Sequence, residues 1–497
     1  MEGSAQEKAI VIGSGFGGLA AAVRLAARGY QVTVCERLDG PGGRAYVYRQ
    51  DGFTFDAGPT IITAPFLLEE LWSLCGKRMS DDIDLIELTP YYRIRFEDGT
   101  HFDYSGNHES MKAEIAKFSP EDVAGYEQFL EASKLLYTVG FDRLLHVSFD
   151  SFGKMLRVLP DLLRAQFYRS VYSLVSKYIK NDKLRRVFSF HPLLVGGNPF
   201  STTAVYALIA QLERKHGVHF AMGGTGAVIG GLVKLIEGAG GTVRYNAGVK
   251  RILLKGRKAV GVELEDGAKL AADVVVSNAD SASTYKHLLP GLKRKRWTDS
   301  RLSRARYSMS LFVWYFGTDR KYDDVPHHMI LLSKRYRELL KDIFNAKVLA
   351  DDFSMYLHRP TATDQSLAPE GCDTFYVLSP VPHLDSGVDW SVTGEIYRQA
   401  IAESLEETVL PNLSRHIATS HMITPIDFKE RLFSEKGAAF GLEPVLTQTA
   451  WFRPNNLSEE VEGLFLVGAG THPGAGLPGV ISSAKVLDEV VPDPVTG

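Results

Sequence analysis

Two glycine-rich segments at opposite ends of the chain carry the residue types that let a backbone close around phosphate. The first is Val11-Ile12-Gly13-Ser14-Gly15-Phe16-Gly17-Gly18. The second runs from Val467 and Gly468 through Ala469, Gly470, Thr471, His472, Pro473, Gly474, Ala475 and Gly476 to Leu477, Pro478 and Gly479. In the first, GxGxxG spacing permits a tight turn, a close approach of main chain to a pyrophosphate, and close packing of the following helix. Glu36 lies eighteen residues beyond Gly18, where an acid accepts hydrogen bonds from ribose hydroxyls. An acid there, with no basic pocket, favours a dinucleotide without a 2′-phosphate. Gly40-Pro41-Gly42-Gly43-Arg44 follows at once, then Gly52-Phe53-Thr54-Phe55-Asp56-Ala57-Gly58-Pro59-Thr60. The second loop contains one titratable side chain, His472, which either works near the cofactor or shapes the turn. Asp56 either caps its own turn or sits near the cofactor.

These residues need elements to hold them. Lys8 to Gly13 reads as a buried strand, Leu19 to Gly29 as an Ala- and Leu-rich helix, and Gln31 to Cys35 as a second strand. The helix would aim its N-terminal amides and dipole at phosphate. Gly223-Gly224-Thr225-Gly226 opens a helix from Val228 to Gly238. Strands then follow at Thr242–Tyr245 and Val249–Ile252, in a hairpin-like unit through Val260–Leu264 and Leu270, and at Val274–Val276, ending in Ser277-Asn278-Ala279-Asp280. Leu464 to Val467 is a strand leading through the second loop into a helix around Pro478–Leu487, with Pro478 in its first turn. That helix N-terminus would offer its amides and dipole to negative charge on the bound dinucleotide.

Bulk composition removes other classes. The chain has 497 residues, enough for two or three domains, and its 45% hydrophobic and 23% charged content is ordinary for a globular protein. A net charge of −3 gives no reason to expect nucleic acid. Cys35, Cys75 and Cys372 form neither a CxxC pair nor a disulfide framework, which fits a reducing cytoplasm. The apolar stretch Ala9–Ala27 contains the glycine motif and Arg24, so it reads as strand–turn–helix rather than a signal peptide. No run approaches the roughly 20 apolar residues of a membrane span. GxSxG, HExxH and P-loop motifs are missing. His327-His328 and Asp351-Asp352 lack metal-site spacing and read as exposed surface, so no metal is expected.

The chain resembles the bacterial-type phytoene desaturases, FAD-dependent carotenoid desaturases related to the amine oxidases. The likeness rests on Gly13–Gly18, Gly42-Gly43-Arg44-Ala45-Tyr46, Asp56–Thr60, Phe118-Ser119-Pro120, Leu194–Phe200, Ser277–Asp280, Leu367–Gly371 and Gly468–Gly479, in the family's order along nearly the whole chain. It implies an α/β fold: a Rossmann-like FAD-binding domain with an inserted α+β substrate domain. The FAD domain would be discontinuous, over residues 1–75, 223–292 and 441–497, with residues 76–222 and 293–440 forming the substrate and membrane-associating region. The implied FAD contacts are Gly13, Gly15, Phe16, Gly17, Gly18, Glu36, Arg37, Gly43, Arg44, Gly58, Pro59, Thr60, Val249, Asn278, Gly470, Gly479 and Val480. Arg44 would supply charge beside the pyrophosphate, and Val249 would contact the adenine side through its backbone. Asn278 reads from its own context as a turn former. Amine-oxidase relatives usually place an acid after the first glycine of the second loop, for the ribityl chain; here Ala469 stands there.

The implied reaction is stepwise dehydrogenation of phytoene toward neurosporene or lycopene, with electrons leaving to a quinone or oxygen. Flavin suits it as a hydride acceptor. Hydride loss from an allylic carbon leaves a delocalised cation whose neighbouring C–H is very acidic, so no catalytic base is nominated. Another carotenoid oxidoreductase or isomerase on the same scaffold remains open, as does a non-enzymatic prenyl-binding protein of the escort type. His108 to about Leu212 reads mostly helical, with Ser119 as an N-cap, Pro120 at the first helical position, and Val123 to Tyr137 as an amphipathic helix. Two stretches combine cations with apolar side chains: Phe149–Lys180, and Leu292–Tyr315 with Lys293, Arg294, Lys295, Arg296, Arg301, Arg304 and Arg306. Either suits a membrane interface, and a cytoplasmic, peripherally membrane-associated enzyme is expected; the second stretch also reads as a solvated loop feeding a strand.

Overall fold

Short apolar strands from both ends of the chain share one parallel sheet in a computed structural model that describes residues 6–149 and 151–494. Its order is Leu464–Leu466, Val274–Ser277, Lys8–Ile12, Gln31–Cys35, Thr242–Arg244. Val11 is the partner of both Val276 and Val34, and Val276 in turn of Phe465. Side chains alternate between two buried faces. Val11, Val34, Val276 and Phe465 pack under the helix Phe16–Ala27, while Ile10, Ile12, Val275 and Leu466 pack against Ile252, Val262 and Tyr285. Burial on both faces explains why these strands read as continuous apolar runs. The helix Leu477–Lys485 lies against the helix Phe16–Ala27, so the two glycine loops, each leading into one of these helices, come together. An antiparallel three-stranded sheet, Val249–Lys255, Lys258–Leu264 and Lys269–Ala271, completes this half.

A second, seven-stranded sheet runs in the order Ile417–Ile423, Ser310–Thr318, Asp373–Val381, Met355–His358, His328–Leu331, Tyr92–Arg95, His101–Tyr104. All its pairs are antiparallel except His328–Leu331 with Tyr92–Arg95. Ser310–Thr318 is buried throughout. Phe312, Trp314 and Phe316 face a core that includes Ile401 and Leu405 of the helix Trp390–Thr408. Leu311, Val313 and Tyr315 face Phe55 and Tyr376.

Helices fill most of 108–216, as the periodicity of that region predicts. One boundary differs. Ser119 ends the helix His108–Phe118 rather than capping the next, which begins at Asp122; the Ser119 hydroxyl has no partner. The cause is Asp122, whose carboxylate accepts from the amides of Lys180 and Asn181 and fixes the turn from the far side.

Candidate active site

The loop after the first strand closes because its glycines leave no room for anything else. A Cβ on Gly17 would lie 2.6 Å from Asn278 Oδ1 and 3.0 Å from the Gly468 backbone. Asn278 thus plugs the crossing of the two glycine loops, while its own amide donates to the Ile12 carbonyl. Gly15 starts the helix Phe16–Ala27 with no side-chain cap, and Gly476 starts Leu477–Lys485 in the same way. Two uncapped helix N-termini therefore open on one cavity, which suits a ligand with dispersed negative charge.

That cavity has a volume of about 560 Å³. Gly13, Gly15, Phe16, Gly17, Glu36, Arg37, Gly43, Arg44, Gly58, Pro59, Thr60, Val249, Asn278, Gly479 and Val480 all contribute to its wall. Gly18 and Gly470 do not. Gly18 closes the helix start, since a Cβ there would meet the Gly13 carbonyl oxygen at 2.0 Å; Gly470 packs on Ser281, whose hydroxyl donates to its carbonyl at 3.0 Å.

Glu36 is buried, and its carboxylate is anchored. Oε2 accepts from the Ser14 amide and hydroxyl at 2.8 and 2.6 Å, and Oε1 from the Leu38 amide at 2.9 Å. Arg37 donates to the Glu430 carbonyl at 3.0 Å and lies over the Phe433 ring. Arg44 donates to Ser434 Oγ at 2.6 Å while its Nε is buried without a partner. Burial draws the Arg44 pKa down, and the nearby Asp280 carboxylate opposes that. An unfilled donor on a desolvated guanidinium, beside two helix N-termini, fits a pyrophosphate. The cradle therefore has the donors and the close backbone approach that FAD requires.

Asp56 neither caps its own turn nor lines the cavity wall; it caps a helix about 170 positions along. Its carboxylate accepts from the amides of Thr225 and Gly226 at 2.9 and 3.4 Å, at the start of the helix Thr225–Gly238, and burial pushes its pKa up to about 6. Thr60, on the wall, bonds Tyr376 Oη at 2.8 Å and Tyr356 Oη at 3.3 Å. His472 donates from Nε2 to the Leu144 carbonyl at 3.0 Å and packs edge-on to Phe149. Burial lowers its pKa to about 4, so it is neutral, with Nδ1 left unpartnered. The Ala469 carbonyl accepts from Arg453 at 2.7 Å, so a backbone group and no acid stands at this point of the wall.

Beyond Thr60 the same cavity becomes apolar. Phe141, Leu144, Phe149, Met155, Leu162 and Phe167 line it from the helical layer, and Leu311, Val313, Ile330, Leu332 and Leu378 from the mixed sheet. Sequence reasoning missed Phe428, Arg431, Leu432 and Phe433, which close the wall over Arg37 and Arg44. Nothing in their spacing marks them; they arrive through folding of a segment nearly 400 residues away. It also misplaced His327 and His328, which are buried rather than exposed because the chain enters the mixed sheet at His328, opposite His358. Most of the cations of 292–306 are tied into a structured corner. Arg294 pairs with Asp299, Arg306 with Glu443, and Arg296 with Glu459, while Arg296 and Arg301 stack on Trp451 and Trp297.

Fold and cavity together define an FAD-dependent oxidoreductase of the amine-oxidoreductase type. Among solved structures, putrescine oxidase with bound putrescine aligns over 98% of this chain and 100% of its own, with a TM-score of 0.65 at 14% identity. Cyclohexylamine oxidase from Brevibacterium oxydans aligns over 98% of this chain and 100% of its own, with a TM-score of 0.62 at 15% identity. The family model for flavin containing amine oxidoreductase matches residues 16–486. The lycopene-forming phytoene desaturase of Pantoea ananas is 50% identical over 96% of this chain and 97% of that protein. The neurosporene-forming phytoene desaturase of Cereibacter sphaeroides is 48% identical over 98% and 95%. The chain belongs to the flavin-containing amine oxidoreductases and, within them, to the phytoene desaturases.

Proposed function

We propose that this protein dehydrogenates phytoene stepwise toward neurosporene or lycopene, with electrons leaving to a quinone or oxygen. The observation that carries this reading is the continuity of the cavity: the dinucleotide cradle and a long apolar compartment are one space. Bound FAD supplies the hydride-accepting chemistry. Glu36, Arg44 and the two helix N-termini hold the cofactor. The aromatic and aliphatic wall binds the polyene chain and keeps water from an allylic cation. His472 stays neutral and so adds no positive charge to the cavity wall. An escort-type prenyl binder has no use for a complete dinucleotide cradle, which disfavours that alternative. Residues 1–75, 223–292 and 441–497 form the cofactor half of the molecule, and 76–222 and 293–440 the substrate half. The separation of the parallel sheet from the seven-stranded sheet supports that division.

The substrate half rests on a membrane surface. Among the described residues no helix is long and apolar enough to cross a membrane. The helix Phe152–Arg164 offers another way to reach lipid. Phe152, Leu156 and Leu163 fall on one face and are 49%, 52% and 50% exposed, while Met155 and Leu162 of the same helix line the cavity. Lys154, Arg157 and Arg164 lie on a third face. A helix with lipid-seeking, cationic and cavity-lining faces suits extraction of an oily substrate from a bilayer. The test is to incubate FAD-loaded protein with phytoene-loaded liposomes and an acceptor and to chromatograph the extract. Neurosporene or lycopene is expected; unchanged phytoene with bound, chemically reducible FAD would refute the substrate.

A further inference from the structure

His328 and His358 are directly opposed on neighbouring antiparallel strands, so their side chains leave the same face of the sheet. His327 precedes the first of these strands, and its carbonyl is held by the Arg359 amide at 2.9 Å. Three buried imidazoles thereby meet, and one ring nitrogen from each lies within 4.8 Å of the other two. Nε2 of His327 and Nε2 of His358 are 3.1 Å apart. Imidazoles bound to one tetrahedral ion at 2.0–2.1 Å place their nitrogens about 3.3 Å apart.

The outer side of the cluster is already organised. His327 Nδ1 bonds Thr363 Oγ1 at 2.7 Å, and His328 Nδ1 bonds Tyr356 Oη at 2.7 Å. Metal-bound imidazoles characteristically donate their second N–H to such a partner, which leaves Nε2 as a lone pair. His328 Nε2 and His358 Nδ1 are buried and have no partner, whereas most buried polar atoms find one. Arg359 is the neighbouring cation, and Asp373 and Asp323 neutralise it. Burial keeps all three imidazoles neutral, with His327 drawn down to about 3.

We propose that His327, His328 and His358 form a binding site for a late first-row transition ion that accepts imidazole ligands alone, Zn²⁺ or Cu⁺. The donor set holds no carboxylate, which excludes the oxygen-seeking ions Mg²⁺ and Ca²⁺. The ion pins two strands of the mixed sheet together. Through His328 it orients Tyr356, and with it the Thr60–Tyr376 contact on the cavity wall.

The test uses the FAD-loaded protein produced with added zinc in one arm and added copper, kept reduced, in the other. After passage over a chelating resin, about one equivalent of one metal per chain is expected by mass spectrometry. Co²⁺ added to the chelator-treated holoprotein is expected to give the visible absorption of a tetrahedral site, competed away by Zn²⁺. His358→Asn is expected to lower retained metal and cobalt absorbance at least about tenfold with the FAD spectrum unchanged. If that variant does not fold, the wild-type cobalt titration decides alone. Less than about a tenth of an equivalent in both arms with no cobalt band, or metal retention unaffected in a folded His358→Asn protein, overturns the proposal.

Discussion

Glu36 shows how far a single acid can be read. Its spacing from the glycine loop marks it as a ribose partner, yet both oxygens also bind the protein, and one of them secures Ser14 inside that loop. Glu36→Ala would therefore remove the proposed ribose contact and loosen the turn, and FAD affinity is expected to fall at least about tenfold, or roughly 1.4 kcal/mol. A fluorescence titration of apoprotein with FAD measures it, and an unchanged Kd would remove Glu36 from the site. Asp56 makes a pH prediction. Its carboxyl has an ordinary pKa of 3.8 but reaches about 6 in the fold. The native state keeps a proton that the unfolded chain has lost, so the stability this group contributes is full below about pH 4 and declines as pH rises through 6. Asp56→Asn is expected to gain on the wild type between pH 4.5 and 7.5, by on the order of 3 kcal/mol at most. Urea unfolding at both pH values measures this; parallel profiles would mean that Asp56 titrates normally. At this scale the sequence marks residues next to a motif and misses those that act across the fold. Thr60 is legible; its partner Tyr376, 316 positions away, is not.

The proposed membrane contact belongs to the scale of elements. In the proposed contact, the exposed stripe of the helix Phe152–Arg164 would bind lipid through buried apolar area, and the cations of that helix would add a salt-sensitive attraction. Replacing Phe152, Leu156 and Leu163 together by Ser is expected to cut liposome binding at least about tenfold while leaving the FAD spectrum and Tm unchanged. Co-sedimentation checks this, and undiminished binding would move the contact elsewhere. The strands and helices around both glycine loops are legible because parallel strands buried on two faces leave short runs of Val, Ile and Leu between glycines. The helix start at 119–122 is not, because Asp122 answers to amides about 60 positions along. The basic stretch at 292–306 shows the same limit: composition counts its cations, but only the fold reveals Glu443, Glu459 and Glu460 beneath them.

At the scale of the whole molecule, the FAD cradle needs both ends of the chain. Leu464–Leu466 flanks Val274–Ser277, and the Gly468–Gly479 loop supplies half of the crossing around Asn278. A protein ending at residue 440 is expected to bind no FAD at any workable concentration, as size-exclusion chromatography with absorbance at the flavin band would show. Saturating the intact protein with FAD at about 100 times Kd is expected to add roughly 2.7 kcal/mol to stability. The resemblance of the two loops to one family makes this pairing legible; the continuity of cradle and apolar compartment is not, since aromatic content alone describes any core. The sheet order also has a consequence in time. While the ribosome is still making the protein, the first strand and its glycine loop emerge early but have neither the neighbour from 274–277 nor the closing loop from 468–479. Nascent chains must wait, half-built at the nucleotide end, until residues 464–479 have been made, so the cradle cannot close around FAD before that segment has left the ribosome.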